Sequence, residues 1–162
     1  MNYFTLFQLP KKFRINKDLL HKNFYKLHLQ FHPDLFINDS ESKKKWILKK
    51  SIEINKGYKT LKSSSNRSIY LLFLNGIKVN QNKLLSENQY FLKKYFFLYE
   101  ELEIIKTKHN SNIIHLNNFF KKIEDEIKNC ENLLDYEFNN KNWNAIINII
   151  SQLLFLKKIK KT

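Results

Sequence analysis

Residues 25–36 read YKLHLQFHPDLF. Leu20, Phe24, Leu27 and Phe31 recur at spacings of four, three and four, which places them on one side of a helix. Asn16 is a suitable N-cap for that helix, with Ile15 and Leu20 placed to clasp its first turn from either side. The spacing therefore predicts a helix over 16–31, with Lys22 and Lys26 four apart on a different, solvent-facing side. The pattern stops at Pro33. Its ring obstructs the preceding turn and drives His32 out of helical geometry. A histidine and an aspartate, His32 and Asp34, are left flanking a proline at the tip of a rod.

Beyond the tip, INDS at 37–40 is rich in capping residues. A second helix is predicted over 41–61, with Ile47, Ser51, Ile54, Tyr58 and Leu61 on one stripe. Residues 63–66 form a cap or linker. A short helix over 67–74 closes on Asn75-Gly76, a good C-terminal signal. The opening YFTLF at 3–7 predicts a brief helix ending before Pro10. The polar run at 78–83 marks a boundary, so the chain divides into a first domain over 1–76, a linker over 77–86 and a second domain over 87–162. Three helices are predicted there, over 87–108, 111–136 and 141–160. The middle one alternates threes and fours through Ile113, Leu116, Phe120, Ile123, Ile127, Cys130 and Leu134, the seam of a bundle.

Composition agrees with an all-α protein: two Gly and two Pro against 43% hydrophobic residues leave few tight turns. The single cysteine, Cys130, excludes an internal disulfide and a cysteine-based metal cluster. No stretch has the length and apolarity of a bilayer span; the most apolar, 145–156, is interrupted by Asn148, Ser151 and Gln152. The N-terminus lacks the pattern of a signal peptide, which predicts a cytoplasmic protein. The net charge of +14 raises the possibility of a nucleic-acid partner. Against it, only Arg14 and Arg67 are arginines, and arginine is the residue suited to phosphates and bases. The charge is uneven: residues 1–76 carry 15 basic and 5 acidic side chains, whereas 77–162 carry 14 and 10. The first half is expected to meet an acidic partner.

Three chemistries compete for His32 and Asp34. A catalytic pair needs a pocket and a third group, which two helices and a short loop do not supply. A metal site needs further ligands; His21 and His28 lie a helix repeat apart with nothing suitable to join them. The remaining chemistry is a docking tip that presents a fixed carboxylate to a cationic partner.

The tripeptide does not stand alone. It lies between a basic helix and a second helix carrying INKGYKTL at 54–61, followed by Arg67 and Tyr70. This combination resembles a J domain, over residues 1–76. The opening YFTLFQLP at 3–10 resembles the HscB family, the J-proteins of bacterial iron–sulfur cluster assembly. Phe91-Leu92, Glu100-Glu101-Leu102, Trp143 and Leu154-Phe155-Leu156 extend the likeness through the rest of the chain. The resemblance implies an L-shaped, two-domain co-chaperone. In the first domain His32, Pro33 and Asp34 would engage an HscA- or DnaK-type ATPase chaperone, Asp34 meeting an arginine, while Lys22 and Lys26 meet an acidic surface. One position departs from the family: the residue after the tip, often basic, is Leu35, with Lys43, Lys44 and Lys45 as the nearest replacements.

The second domain carries a further anomaly. At about 100° per residue, Phe91, Leu92, Tyr95, Tyr99, Leu102 and Ile105 form the core face of the helix over 87–108. Lys93, Phe97, Glu100 and Ile104 fall opposite, with Phe96 on the flank. In the last helix Asn144, Asn148, Ser151 and Gln152 define a polar stripe that contains Phe155. Large apolar residues grouped on wet faces predict an exposed patch; burial against the first domain is the alternative. The resemblance implies that Leu92, Phe96, Glu100 and Phe155, with the departing Lys93, Phe97 and Ile104, hold an IscU-like scaffold protein. The family face is more acidic; this one is more apolar.

The expectation is thus an all-helical co-chaperone of iron–sulfur cluster biogenesis. It would not be an enzyme and would carry no cofactor or metal, with no nucleic acid or membrane as partner. A J-protein serving a different client, or a basic helical nucleic-acid-binding module, are the rival functions.

Overall fold

In the computed structural model, residues 2–108 and 112–161 are described. Every helix and turn named below lies in one of two compact units, Met1–Leu71 and Leu72–Thr162, except that one helix runs across their boundary.

The first unit contains α1 (Tyr3–Leu6), α2 (Lys17–Gln30), a 3-10 turn (Pro33–Phe36), α3 (Glu41–Lys62) and most of α4 (Ser64–Leu74). Asn16 caps α2, its side chain accepting from the Leu19 amide, and Ser40 caps α3 through the Lys43 amide. The hairpin of α2 and α3 closes around Leu20, Ile47, Ile54 and Leu61, each no more than 1% exposed. Phe24 stacks on Tyr58 with ring centroids 4.0 Å apart. α1 lies on α3 at Gly57, where a β-carbon would stand 2.7 Å from Cδ1 of Tyr3. Tyr3 is held in turn: its amide donates to the Tyr70 hydroxyl at 2.9 Å and the two rings stack. Arg67 is buried, with Nε donating to the Phe13 carbonyl at 2.5 Å and Nη1 to the Leu61 carbonyl at 2.7 Å. The guanidinium thereby satisfies a carbonyl at the end of α3 that the helix leaves unpaired.

Gly76 adopts φ +81°, the left-handed geometry that a residue without a β-carbon takes most readily. Its amide donates to Phe73 at 3.0 Å and that of Ile77 to Leu72 at 2.9 Å, the paired bonds of a Schellman stop.

The second unit holds α5 (Gln81–Glu87), α6 (Gln89–Thr107), α7 (Asn112–Asn139) and α8 (Trp143–Lys161). Residues 77–86, expected as a linker, contain most of α5. Asn80 nucleates it by accepting from the amides of Asn82 and Lys83, and α5 packs on α8. Ser111, where the α7 pattern was expected to begin, lies outside the described residues. Along α7 the seam is buried at Ile123, Ile127, Cys130 and Leu134. Towards its N-terminus the burial rotates by one residue, to Phe119 in place of Phe120, and Ile113 is exposed. In α6 the core centres on Leu98 and Leu102, whereas Tyr99, expected in the core, is exposed.

The largest difference concerns α8. Its predicted polar stripe holds at Asn144 and Asn148, but Ser151 is 2% and Phe155 5% exposed. α5, α6 and α7 all pack on α8, so its C-terminal half has almost no wet side. Helical periodicity reports a solvent face only for a helix that keeps one.

Candidate functional site

The tip is built by the α2 stop. The Phe31 amide bonds back to the Leu27 carbonyl at 3.0 Å, and His32 then turns extended (φ −71°, ψ 128°), as a residue before proline must. Pro33 opens the 3-10 turn, where its missing N–H costs nothing. The Asp34 amide donates to Nδ1 of His32 at 3.2 Å, and the Leu35 amide donates to the His32 carbonyl at 3.1 Å. The Asp34 carboxylate stands outward with its side chain 83% exposed, Oδ2 lying 3.7 Å from the same Nδ1. Leu35 and Ile37 are also exposed.

α3 braces the tip. Trp46 meets the edge of Phe31 at 5.9 Å, and the ammonium groups of Lys50 and Lys43 lie over the rings of Phe31 and Phe36. Lys43 is further tied to Asp39 at 3.5 Å and Lys44 to Glu41 at 3.4 Å. Of the three lysines expected to replace a base at position 35, Lys45 alone has no described partner. Behind the tip the rings of His28 and His32 meet edge to face at 5.2 Å.

Lys22 and Lys26 are exposed on the outer face of α2, and Tyr25 and Leu29 are exposed with them. The 3.6-residue turn places these four on one stripe; the sequence reading had singled out only the lysines. His21 Nδ1 lies 3.2 Å from the Tyr58 hydroxyl. Among the described residues no group of three or more His, Cys, Asp or Glu side chains is arranged to hold a metal ion.

In the second unit, Lys93, Phe96, Phe97, Glu100 and Ile104 all lie exposed on α6, with Phe97 at 62%, Phe96 at 57% and Ile104 at 56%. Leu92 is half-buried at the edge of that face. Phe155 does not join them on the surface. It lies beneath, its ring 5.6 Å from that of Tyr95, in the wall of a shallow apolar groove shared with Phe91 and Leu98. The exposed patch is thus a property of α6, with Phe155 supporting it through Tyr95.

A family profile described as the HscB C-terminal oligomerisation domain matches residues 87–162. The co-chaperone protein HscB of Buchnera aphidicola subsp. Acyrthosiphon pisum (strain Tuc7) is 57% identical over 160 residues, 99% of this chain and 91% of that protein. The structure of chaperone HscB from Vibrio cholerae matches with a TM-score of 0.90 at 33% identity, covering 99% of this chain and 94% of that one. The human co-chaperone protein HscB matches with a TM-score of 0.86, covering 99% of this chain and 79% of that one. At 21% identity the human likeness speaks for the fold alone.

Proposed function

This chain belongs to the HscB family, and from that membership we propose that it is a co-chaperone of iron–sulfur cluster assembly. It performs no bond chemistry of its own. Residues 1–76 act as the J domain, residues 87–162 carry the client, and 77–86 join them. The J domain accelerates ATP hydrolysis by an HscA- or DnaK-type chaperone, and α6 presents an IscU-like scaffold to that chaperone. The site of action is the cytoplasm; among the described residues no helix is long and apolar enough to cross a membrane.

The observation that carries this reading is the Asp34 carboxylate, exposed on a turn that proline begins and α3 braces. A backbone already held in a turn gives up little freedom on docking, and a carboxylate–arginine bond is among the stronger polar contacts. Lys22 and Lys26 add attraction over a longer range, which quickens encounter more than it tightens the complex. On α6, the exposed Phe96, Phe97 and Ile104 support an apolar client contact, with Glu100 setting its polarity. The deciding experiment is steady-state ATP hydrolysis by an HscA-type chaperone, with and without scaffold. Addition of the chain raises the rate, and Asp34→Asn abolishes the rise while the circular dichroism spectrum is unchanged. A rate indifferent to the chain, or to that substitution, refutes the reading.

A further inference from the structure

We propose that the outer face of α3 is a second docking surface, suited to an acidic amphipathic helix of a partner protein and separate from the face that α2 and the tip present. At about 100° per residue, Lys45, Leu48, Lys49, Ile52, Lys56 and Lys59 fall on one side of α3, opposite the buried Ile47, Ile54 and Leu61. All six are exposed, Leu48 at 52% and Ile52 at 57%. The elements that pack on α3, namely α1, α2 and the 3-10 turn, leave this side open.

The charge of the stripe is unanswered within the chain. Lys43 and Lys44, on the adjoining turn, are paired with Asp39 and Glu41. Among the described residues no carboxylate lies within ion-pair distance of Lys45, Lys49, Lys56 or Lys59. Lys45 and Lys49 are four apart and Lys56 and Lys59 three apart, so like charges repel on neighbouring turns. Carboxylates from outside relieve that repulsion. Between the two pairs of lysines stand Leu48 and Ile52, one turn from each other. An apolar centre within a charged rim is the anatomy of a protein contact. From Lys45 to Lys59 the stripe runs about 21 Å, which accommodates four turns of a helix laid alongside. Its complement carries two apolar side chains four apart, framed by Asp or Glu.

Other occupants fit less well. α3 contains no arginine, and a sugar–phosphate chain has nothing apolar to set against Leu48 and Ile52. A helix that lies on a membrane buries a broad apolar face, whereas two side chains are all this one offers. A second copy of the chain would bring its own net charge of +14 to a cationic surface. The stripe of α2 that carries Lys22 and Lys26 also lies on the far side of its helix from the shared core. The two stripes therefore face away from each other, and one flat surface cannot cover both.

The experiment follows amide NMR spectra of the full chain as a designed peptide is added. The probe is an alanine-based helix of about 20 residues, long enough to fold alone, with two leucines four apart between glutamates on one face. Its shifts are expected to concentrate between Lys45 and Lys59, and a shuffled peptide of the same composition to bind about tenfold more weakly. Leu48→Gln with Ile52→Gln preserves helix propensity, and Lys49→Glu with Lys56→Glu reverses the charge. Each pair is expected to weaken the designed peptide by about tenfold or more. Both pairs should leave the circular dichroism spectrum and the stimulation of an HscA-type ATPase unchanged. Equal binding of the shuffled peptide, shifts centred on Lys22 and Lys26, or parent-like binding by either pair overturns the inference. So does an RNA oligonucleotide or an anionic vesicle that binds this face more tightly than the peptide. Lost ATPase stimulation in these variants would assign the face to the chaperone and overturn the separate surface, with the reading of Asp34 intact. A parent chain that stimulates no ATPase refutes that reading alone, since the peptide titration decides this one.

Discussion

A β-carbon on Gly57 would stand 2.7 Å from Cδ1 of Tyr3 and 3.1 Å from the Phe7 ring. Replacing glycine by alanine inside a helix ordinarily gains about 1 kcal/mol. Here the added methyl group meets a ring that cannot swing aside, because the Tyr3 amide is bonded to Tyr70 and its ring is stacked there. Gly57→Ala is expected to lower stability by about 1–2 kcal/mol, the usual order for an overpacked core. Thermal unfolding checks it; a higher midpoint would mean that α1 does not press on α3.

Arg67 is 3% exposed, bonds the carbonyls of Phe13 and Leu61 and lies 4.8 Å from the Phe13 ring centre. Arg67→Met preserves bulk but strands two buried acceptors, at a cost of about 3 kcal/mol. Arg67→Lys retains the charge without the planar fork and is expected to fall between. Urea midpoints that follow the order Arg, Lys, Met support this account. A methionine variant as stable as the parent would show that the carbonyls are satisfied otherwise.

How legible the molecule was depended on what each signal measures. The stop at Pro33, the cap at Asn16 and the stripe through Ile47, Ile54 and Leu61 are local consequences of backbone chemistry, and all were readable in the sequence. The α7 seam was readable where one partner surface covers it, from Ile123 to Leu134, and drifted by a residue nearer the N-terminus. Phe155 was misplaced because a polar stripe marks the wet side only of a helix with one covered face, and α8 is enclosed by three others. Gly57 was visible only as a letter in a motif; its role depends on a ring more than fifty residues away. Both partners of the bond from the Asp34 amide to His32 lay within the tripeptide itself, but that they meet needed coordinates.

Phe97 and Phe155 are expected to separate two effects. Phe97 is 62% exposed, so Phe97→Ala removes contact area for a partner and little from the core. Scaffold affinity should fall about tenfold with stability nearly unchanged. Phe155 is 5% exposed against Tyr95, so Phe155→Ala leaves a cavity and costs about 3–4 kcal/mol. Calorimetry and thermal unfolding on both variants test this. A stable Phe155→Ala would place that ring outside the core, and unchanged scaffold binding in Phe97→Ala would remove α6 as the client face.

Cys130 is 1% exposed on the α7 seam. Burial, reinforced by the Glu126 carboxylate, pushes its thiol up to about 11, and only the thiolate is nucleophilic. Alkylation at pH ~8 should therefore be slow in the folded chain and rapid in urea. The folded state holds this proton more tightly than the unfolded one. Its stabilising effect is therefore complete below about pH 9 and disappears as pH rises towards about 11. Modification by iodoacetamide, counted by mass spectrometry, checks the first expectation. Labelling as fast in buffer as in urea would contradict the burial.

Lys22 and Lys26 share an outer stripe of α2 with the exposed Tyr25 and Leu29, while Asp34 occupies the tip. The two sets of groups should fail differently. Exposed ammonium groups act through water, where salt screens charge over about 8 Å at physiological ionic strength. Lys22→Ala and Lys26→Ala are each expected to raise the half-saturating concentration for ATPase stimulation by about threefold at low salt. The difference from the parent chain narrows as salt is added, and the plateau at saturation is unchanged. Asp34→Asn should lower the plateau at every ionic strength, since no concentration replaces a missing contact. Rate titrations at two salt concentrations distinguish the patterns. A plateau that falls in the lysine variants would mean that α2 contributes to activating the chaperone and does more than attract it.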